Sequence, residues 1–286
     1  MRAPRVVQFG ITNRCNLSCH FCSRDLAADS QWTVDSAFEV LSGLARHGVL
    51  EVAFGGGEPF VFKGFPTLVR RLWEETPLAV NVTTNGVALT PERIRACKDL
   101  LGELRVSLYE DNNWRSTIRM LATERVRFGV NWLVIPGQLP AVEARILELV
   151  AMGCRDVLLL SYNGQDSSMH LARTDAAQLA KRVRVLARVL AGQCELKLDV
   201  CWGERMQPVP RLFNKTDCGA GREFIVLTSD KKLMPCSFHD RAFPVLTSED
   251  VMRLWTKEVT ALRSPARAPG CARTPGYGLW RADEES

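Results

Sequence analysis

Six times in succession a short apolar run reads as a β-strand and the segment behind it as a helix. The strand candidates are 6–11, 49–54, 78–83, 104–109, 128–135 and 156–161. The helix candidates are 34–47, 65–75, 91–101, 114–124, 141–152 and 176–190. Phe38, Leu41 and Leu44 recur at helical spacing, Gly48 and Gly153 stand as stops, and Pro91 opens a helix where its missing N–H costs nothing. Such alternation predicts a parallel sheet with right-handed crossovers, either doubly wound or closed toward a barrel. Both place ligands at the carboxyl ends of the strands. The loops after the first three strands carry the most unusual segments of the chain, 15–22, 55–59 and 84–86, so those segments should share one rim.

At 286 residues, with 46% hydrophobic and 24% charged residues, the chain can bury its own core. A net charge of +5 spread along the chain does not argue for nucleic acid or a membrane surface, and no apolar run is long enough to span a bilayer. With no signal-peptide pattern at its start, the expected location is cytoplasmic. Ten cysteines are then an anomaly, because thiols in that compartment point to metal or redox chemistry before disulfides.

Cys15, Cys19 and Cys22 form C-x₃-C-x₂-C on one loop. Three thiolates so close can hold three corners of an iron–sulfur cube and leave one iron open. Two other readings compete. Cys19 and Cys22 alone could be a redox pair, but the third cysteine weakens that reading. A zinc knuckle would need a fourth ligand such as His20, which sits between two of the others. After the second strand comes Gly55-Gly56-Gly57-Glu58-Pro59. A dinucleotide-binding loop is disfavoured there, since Phe60 stands where a third glycine belongs and Pro59 interrupts the turn.

These two motifs, with Phe21 before the last cysteine, resemble those of the radical S-adenosylmethionine (SAM) enzymes, over roughly residues 5–162. The resemblance implies an α/β fold built as a partial (β/α)6 barrel. It also implies a [4Fe-4S] cluster on Cys15, Cys19 and Cys22, with SAM chelating the open iron. Gly56 and Gly57 would let the backbone approach the SAM ammonium closely, and Glu58 would be its charge partner. Asn85, Ser107 and Asn131, on or near strands three, four and five, would serve the ribose and carboxylate of SAM. The plain alternatives are that 84–86 is simply a turn and Asn131 a satisfied core amide. The residue that handles the substrate is not identified.

After about residue 194 the alternation breaks. Residues 195–201 could be another strand, 207–210 look like loop, and 224–228 with 232–234 suggest a hairpin around Ser229 and Asp230. Cys218, a glycine-rich turn and a Pro-Cys at Cys236 resemble the opening of a SPASM/Twitch extension. That resemblance implies an auxiliary iron–sulfur cluster, of the [4Fe-4S] type, on Cys218, Cys236 and Cys271. The chain departs from the full pattern at Thr274, where a cysteine partner of Cys271 is missing. The shorter Twitch type therefore fits better, with the fourth position open, filled by Cys201 or filled by an oxygen donor. A zinc site or three unrelated thiols is the alternative, and His239 and Asp240 are expected at the surface. The division expected is a radical SAM core over 1–200 and a Twitch-like domain over 201–286.

Cys97, Cys154 and Cys194 read as small buried hydrophobes, and Trp114, Trp132 and Trp202 as core or pocket wall. In the basic helix around 181–188, Leu179, Val183, Val185, Leu186 and Val189 should supply apolar cover. The expected function is hydrogen abstraction from a ribosomally made precursor peptide. A small-molecule dehydrogenase or epimerase and a zinc-structured binding module are the alternatives. Expected partners are SAM, a peptide or small-molecule substrate, and an electron donor such as flavodoxin or ferredoxin. Because the first strand begins near Val6, a peptide substrate would call for a separate recognition protein or for a leader bound by an exposed strand edge.

Overall fold

Alternation of buried side chains fixes the first strand. In β1 (Val6–Thr12) the side chains of Val7, Phe9 and Ile11 are fully buried, and Gly10 and Thr12 are buried as well. A computed structural model describes residues 2–22, 24–110, 112–202 and 217–273. They form a mixed α/β fold with a largely parallel sheet. The chain divides into two compact units, one of residues 1–127 and 220–264, the other of 128–219 and 265–286.

In the first unit, β1 is followed by α1 (Val34–Arg46), β2 (Glu51–Gly56), α2 (Phe65–Glu75) and β3 (Ala79–Thr84). Then come α3 (Pro91–Cys97), β4 (Glu103–Leu108) and α4 (Trp114–Thr123). A capping box opens α1, where Thr33 accepts from the Ser36 N–H and the Ser36 hydroxyl accepts from the Thr33 N–H. Gly48 (φ +96°) ends it in the left-handed region, as the sequence suggests. Phe9 lies edge-on to Trp32 at 5.1 Å and stacked with Phe54 at 5.7 Å. This aromatic core joins β1 and β2 to the limb that returns from the cysteine loop.

The later segment of this unit adds β8 (Phe224–Leu227), β9 (Lys232–Met234) and β10 (Phe243–Pro244). β8 pairs in parallel with β1, from Val6 opposite Phe224 to Phe9 opposite Leu227. The strand order here is β10-β9-β8-β1-β2-β3-β4. The expected hairpin is present: β8 and β9 are antiparallel, and the Thr228 hydroxyl donates to Asp230 at 2.5 Å within the turn. Two helices escaped the sequence reading, α7 (Ser248–Lys257) and α8 (Val259–Arg263). The start of α7 was legible, since Thr247 and Asp250 form a capping box.

The second unit carries β5 (Phe128–Leu133), α5 (Val142–Ala151), β6 (Asp156–Leu160), α6 (Arg173–Val189) and β7 (Glu195–Leu198). Its strands run parallel in the order β5-β6-β7. Leu179, Val183 and Leu186 of α6 are buried, but Val185 is 60% exposed and Val189 63% exposed. Those two therefore give no apolar cover; the buried stripe is narrower than the sequence suggested. Cys97, Cys154 and Cys194 are buried, as are Trp114, Trp132 and Trp202. Residues 207–210 and Thr274 lie outside the described residues. Among the described residues no helix is long and apolar enough to cross a membrane.

Candidate functional site

The ends of the parallel strands β1 and β2 approach so closely that two glycines are required. At Gly56 (φ +112°) a Cβ would stand 2.5 Å from the Thr12 carbonyl oxygen and 2.9 Å from Gly10 Cα. At Gly57 it would stand 2.5 Å from the Asn13 carbonyl oxygen and closer still to that of Arg14. The Gly57 and Glu58 N–H groups donate to the carbonyls of Thr12 (2.6 Å) and Arg14 (2.9 Å). Gly56 and Gly57 thus let the protein's own backbone come close, where the sequence reading gave that closeness to a ligand. Gly55 has open space where its Cβ would be.

Glu58 is 0% exposed. One carboxylate oxygen accepts from the Thr84 hydroxyl (2.8 Å) and the Phe60 N–H (3.1 Å), the other from the Asn85 N–H (2.7 Å). Burial pushes its pKa above the usual carboxylate range, and these three donors pull the other way. Its side chain is therefore a brace between the end of β2 and the end of β3.

Asn85 passes that brace on to the cysteines. Its Nδ2 donates to Asn16 Oδ1 (2.7 Å) and to Cys15 Sγ (3.4 Å), while its Oδ1 accepts from the Val87 N–H (2.9 Å). The chain turns directly after β3, with Gly86 at φ +80° and its N–H donating to the Thr84 hydroxyl (3.0 Å), as the plain reading expects. The next strand end is joined by Asn112, whose Nδ2 donates to the carbonyls of Asn85 (2.7 Å) and Ser107 (2.8 Å). The Tyr109 N–H donates to Asn112 Oδ1 (3.0 Å).

Tyr109 faces the cysteine loop. Its phenol is pushed up to about 12, chiefly by burial, with the charges of Cys19, Cys22 and Cys15 adding and a hydrogen bond with Ser107 opposing. Phe21 lies 5.0 Å from the Tyr109 ring and 5.3 Å from His20. The first unit therefore brings together the three cysteines, Phe21, Gly56, Gly57, Glu58, Asn85 and Ser107. Asn131 belongs to the second unit, half-buried in β5 between buried Val130 and Trp132. The sequence reading missed Tyr109 and Asn112 as members of the site. Tyr109 could have been found as the last residue of the fourth strand candidate on the same rim, whereas Asn112 carries no motif.

The donor set suits an iron–sulfur cluster. It offers three thiols from one loop, Cys15 and Cys19 half-buried and Cys22 exposed, with an amide N–H already directed at one sulfur. Among the described residues no three His, Cys, Asp or Glu side chains are already drawn together as a metal site. The later cysteines divide between the units, Cys236 in the first and Cys218 and Cys271 in the second. Arg273 forms a two-pronged ion pair with Asp217 (2.6 and 2.9 Å) and lies within electrostatic reach of Cys218 and Cys271. His239 is 5% exposed, against the expectation of a surface residue. Its Nδ1 accepts from the Arg241 N–H (2.9 Å), and its Nε2 meets the Ser264 carbonyl and hydroxyl oxygens, both at 3.3 Å.

Residues 9–112 match the family described as the Radical SAM superfamily. A PqqA peptide cyclase of Rhodopseudomonas palustris is 40% identical over 99 residues, which cover 34% of this chain and 26% of that protein. A probable GTP 3',8-cyclase of Methanocella arvoryzae is 34% identical over 105 residues, covering 36% of this chain and 33% of that protein. The chain thus spans about a quarter to a third of the length of the curated relatives it matches. In fold it is similar to Streptococcus suis SuiB bound to its precursor peptide SuiA, with a TM-score of 0.76 and 13% identity. That likeness covers 95% of this chain and 70% of SuiB. Native anSMEcpe with bound AdoMet and a peptide gives a TM-score of 0.67 at 14% identity, over 91% of this chain and 82% of that one.

Proposed function

We propose that this protein is a radical SAM enzyme acting on a peptide. Cys15, Cys19 and Cys22 would hold a [4Fe-4S] cluster, and SAM would take the open position beside it. Bound there, the two would supply one-electron cleavage of the SAM sulfur–carbon bond and a 5′-deoxyadenosyl radical that removes a hydrogen atom from the substrate. The observation that carries this reading is the chain of contacts from Cys15 through Asn85 to the buried Glu58, which ties the cysteine loop to the ends of β2 and β3. Asn85 holds the first cysteine, Tyr109 and Phe21 wall the loop, and Gly56 and Gly57 keep the strand ends tight enough for the rim to form. Glu58 acts through Asn85 and Thr84, as a positioning residue. Asn131 and Ser107 are assigned to SAM, and the strands to a partial (β/α)6 barrel.

The peptide substrate is favoured by two likenesses, to a PqqA peptide cyclase in sequence and to precursor-bound SuiB in fold. A small-molecule substrate is favoured by the likeness to the GTP 3',8-cyclases. Residues 201–286 are read as a Twitch-like extension whose auxiliary cluster Cys218, Cys236 and Cys271 would hold. Electrons would come from a flavodoxin- or ferredoxin-type donor. The test is anaerobic purification followed by iron counting and reductive SAM cleavage. About seven or eight irons per chain with 5′-deoxyadenosine formed supports both clusters, and about four supports the first alone. Zinc without iron overturns the reading.

A further inference from the structure

Arg24 stands two residues beyond Cys22, half-buried, with its Nη1 3.4 Å from where a Cβ on Gly10 would lie. Of its five N–H donors, one reaches Asn13 Oδ1, at 3.3 Å. Three other half-buried guanidinium groups are paired with acids, Arg105 with Glu103, Arg273 with Asp217 and Arg71 with Asp35, while Arg184 donates to the Ala180 carbonyl of its own helix. Among the described residues no acidic side chain forms an ion pair with Arg24, which follows the cysteine loop directly. A guanidinium withdrawn from water without a counter-ion is unfavourable, so its site makes physical sense when an anion arrives.

We propose that Arg24 is the fixed counter-charge of the cluster on Cys15, Cys19 and Cys22, and that it raises the reduction potential of that cluster. The inference rests on the reading of those cysteines as cluster ligands. A 2+ cube on three thiolates carries a net charge of about −1, and one electron taken from an external reductant makes it about −2. A nearby cation favours the more negative state, and the low local dielectric strengthens that preference.

The test is a dithionite redox titration of the full-length, iron-reconstituted protein, followed by paramagnetic resonance. The signal to follow is the one that Cys15→Ala/Cys19→Ala/Cys22→Ala protein lacks. If that triple variant keeps the iron and signal of the parent, the cysteine reading itself fails. With the reading intact, Arg24→Gln should shift the reduction equilibrium about tenfold against the reduced state, ~59 mV more negative for one electron. Arg24→Lys, which keeps the charge, should stay close to the parent. An unchanged potential in Arg24→Gln with full iron content overturns the proposal. So does an unchanged potential with about tenfold weaker SAM binding, which would make the SAM carboxylate the anion. Should Arg24→Gln fail to hold iron, Arg24→Lys decides: parental iron and potential support the charge role, and an iron-free lysine variant overturns it.

Discussion

The two cysteine groups are built on opposite plans. Cys15, Cys19 and Cys22 belong to one loop, and the residues that hold that loop come from the neighbouring strand ends of the same unit. Cys218, Cys236 and Cys271 are far apart along the chain and divide between the two units. Each later stretch has its own local clasp, Asp217 with Arg273 on one side and His239 with Ser264 on the other. A loop that keeps its ligands within a few residues loses little chain entropy on closing, whereas distant ligands need longer loops closed. The first group can therefore be supported by a few buried polar contacts, while the later cysteines have a separate anchor within each unit.

The largest expected effect separates the two groups outright. Replacing Cys15, Cys19 and Cys22 with Ala should abolish 5′-deoxyadenosine formation under dithionite, while thermal unfolding stays near the parent, because loop ligands add little to the apolar core. Replacing Cys218, Cys236 and Cys271 should leave reductive SAM cleavage in place and remove the remaining iron. Cleavage lost equally in both variants would mean that the two sites are not independent.

Next in size is the close approach at the ends of β1 and β2. Gly57→Ala should destabilise the fold by about 1–3 kcal/mol or more, since its Cβ meets backbone that cannot rotate away. Gly55→Ala, with open space at its Cβ, should stay within about 0.5 kcal/mol. Urea unfolding of the pair measures the contrast, and equal losses would remove the steric account.

Glu58→Gln should cost about 1–3 kcal/mol, because the amide N–H₂ would face one of the three donors that now converge on the carboxylate. The sign with pH is opposite to that of a surface ion pair. The native pKa of Glu58 lies above its ordinary value of 4.5, so the folded state holds its proton more tightly than the unfolded chain. Its contribution is fully present below the unfolded value and is lost as pH rises through the native one. Stability of the parent relative to Glu58→Gln should therefore fall from acid toward neutral pH, and urea midpoints across that range check the slope.

The smallest effect concerns the later anchor. Asp217→Asn should cost no more than about 1 kcal/mol, because the pair with Arg273 is part-exposed. It should nevertheless lower the iron retained by the Cys15→Ala/Cys19→Ala/Cys22→Ala protein. Unchanged retention would separate the Arg273 clasp from the second cysteine group.

Much of the first unit was legible because its signals are local. Period-two burial in β1, the capping residues and the glycine stop of α1 all act within a few residues. The cysteine spacing is local too. What could not be read is long-range: Asn112 reaching two carbonyls from different strand ends, and Glu58 turned inward to brace Thr84 and Asn85. The resemblance made Glu58 a charge partner for the SAM ammonium, and nothing local to the glycine-rich segment showed the donors that meet it from β3. Its burial follows from the donors β3 brings. The pairing of β8 with β1 was equally hidden, since no pattern in residues 224–227 says which edge they will join.

That pairing bears on how the protein is made. Trp32, which packs on Phe9 and closes the far limb of the cysteine loop, donates its indole N–H to the Thr228 carbonyl at 2.8 Å. The last residue of β8 is synthesised roughly 215 residues after the last residue of β1. At about 5–20 residues per second, a ribosome needs roughly 10–40 s to deliver it. Throughout that interval the nascent chain has an unpartnered β1 edge and a cysteine loop without its hairpin anchor.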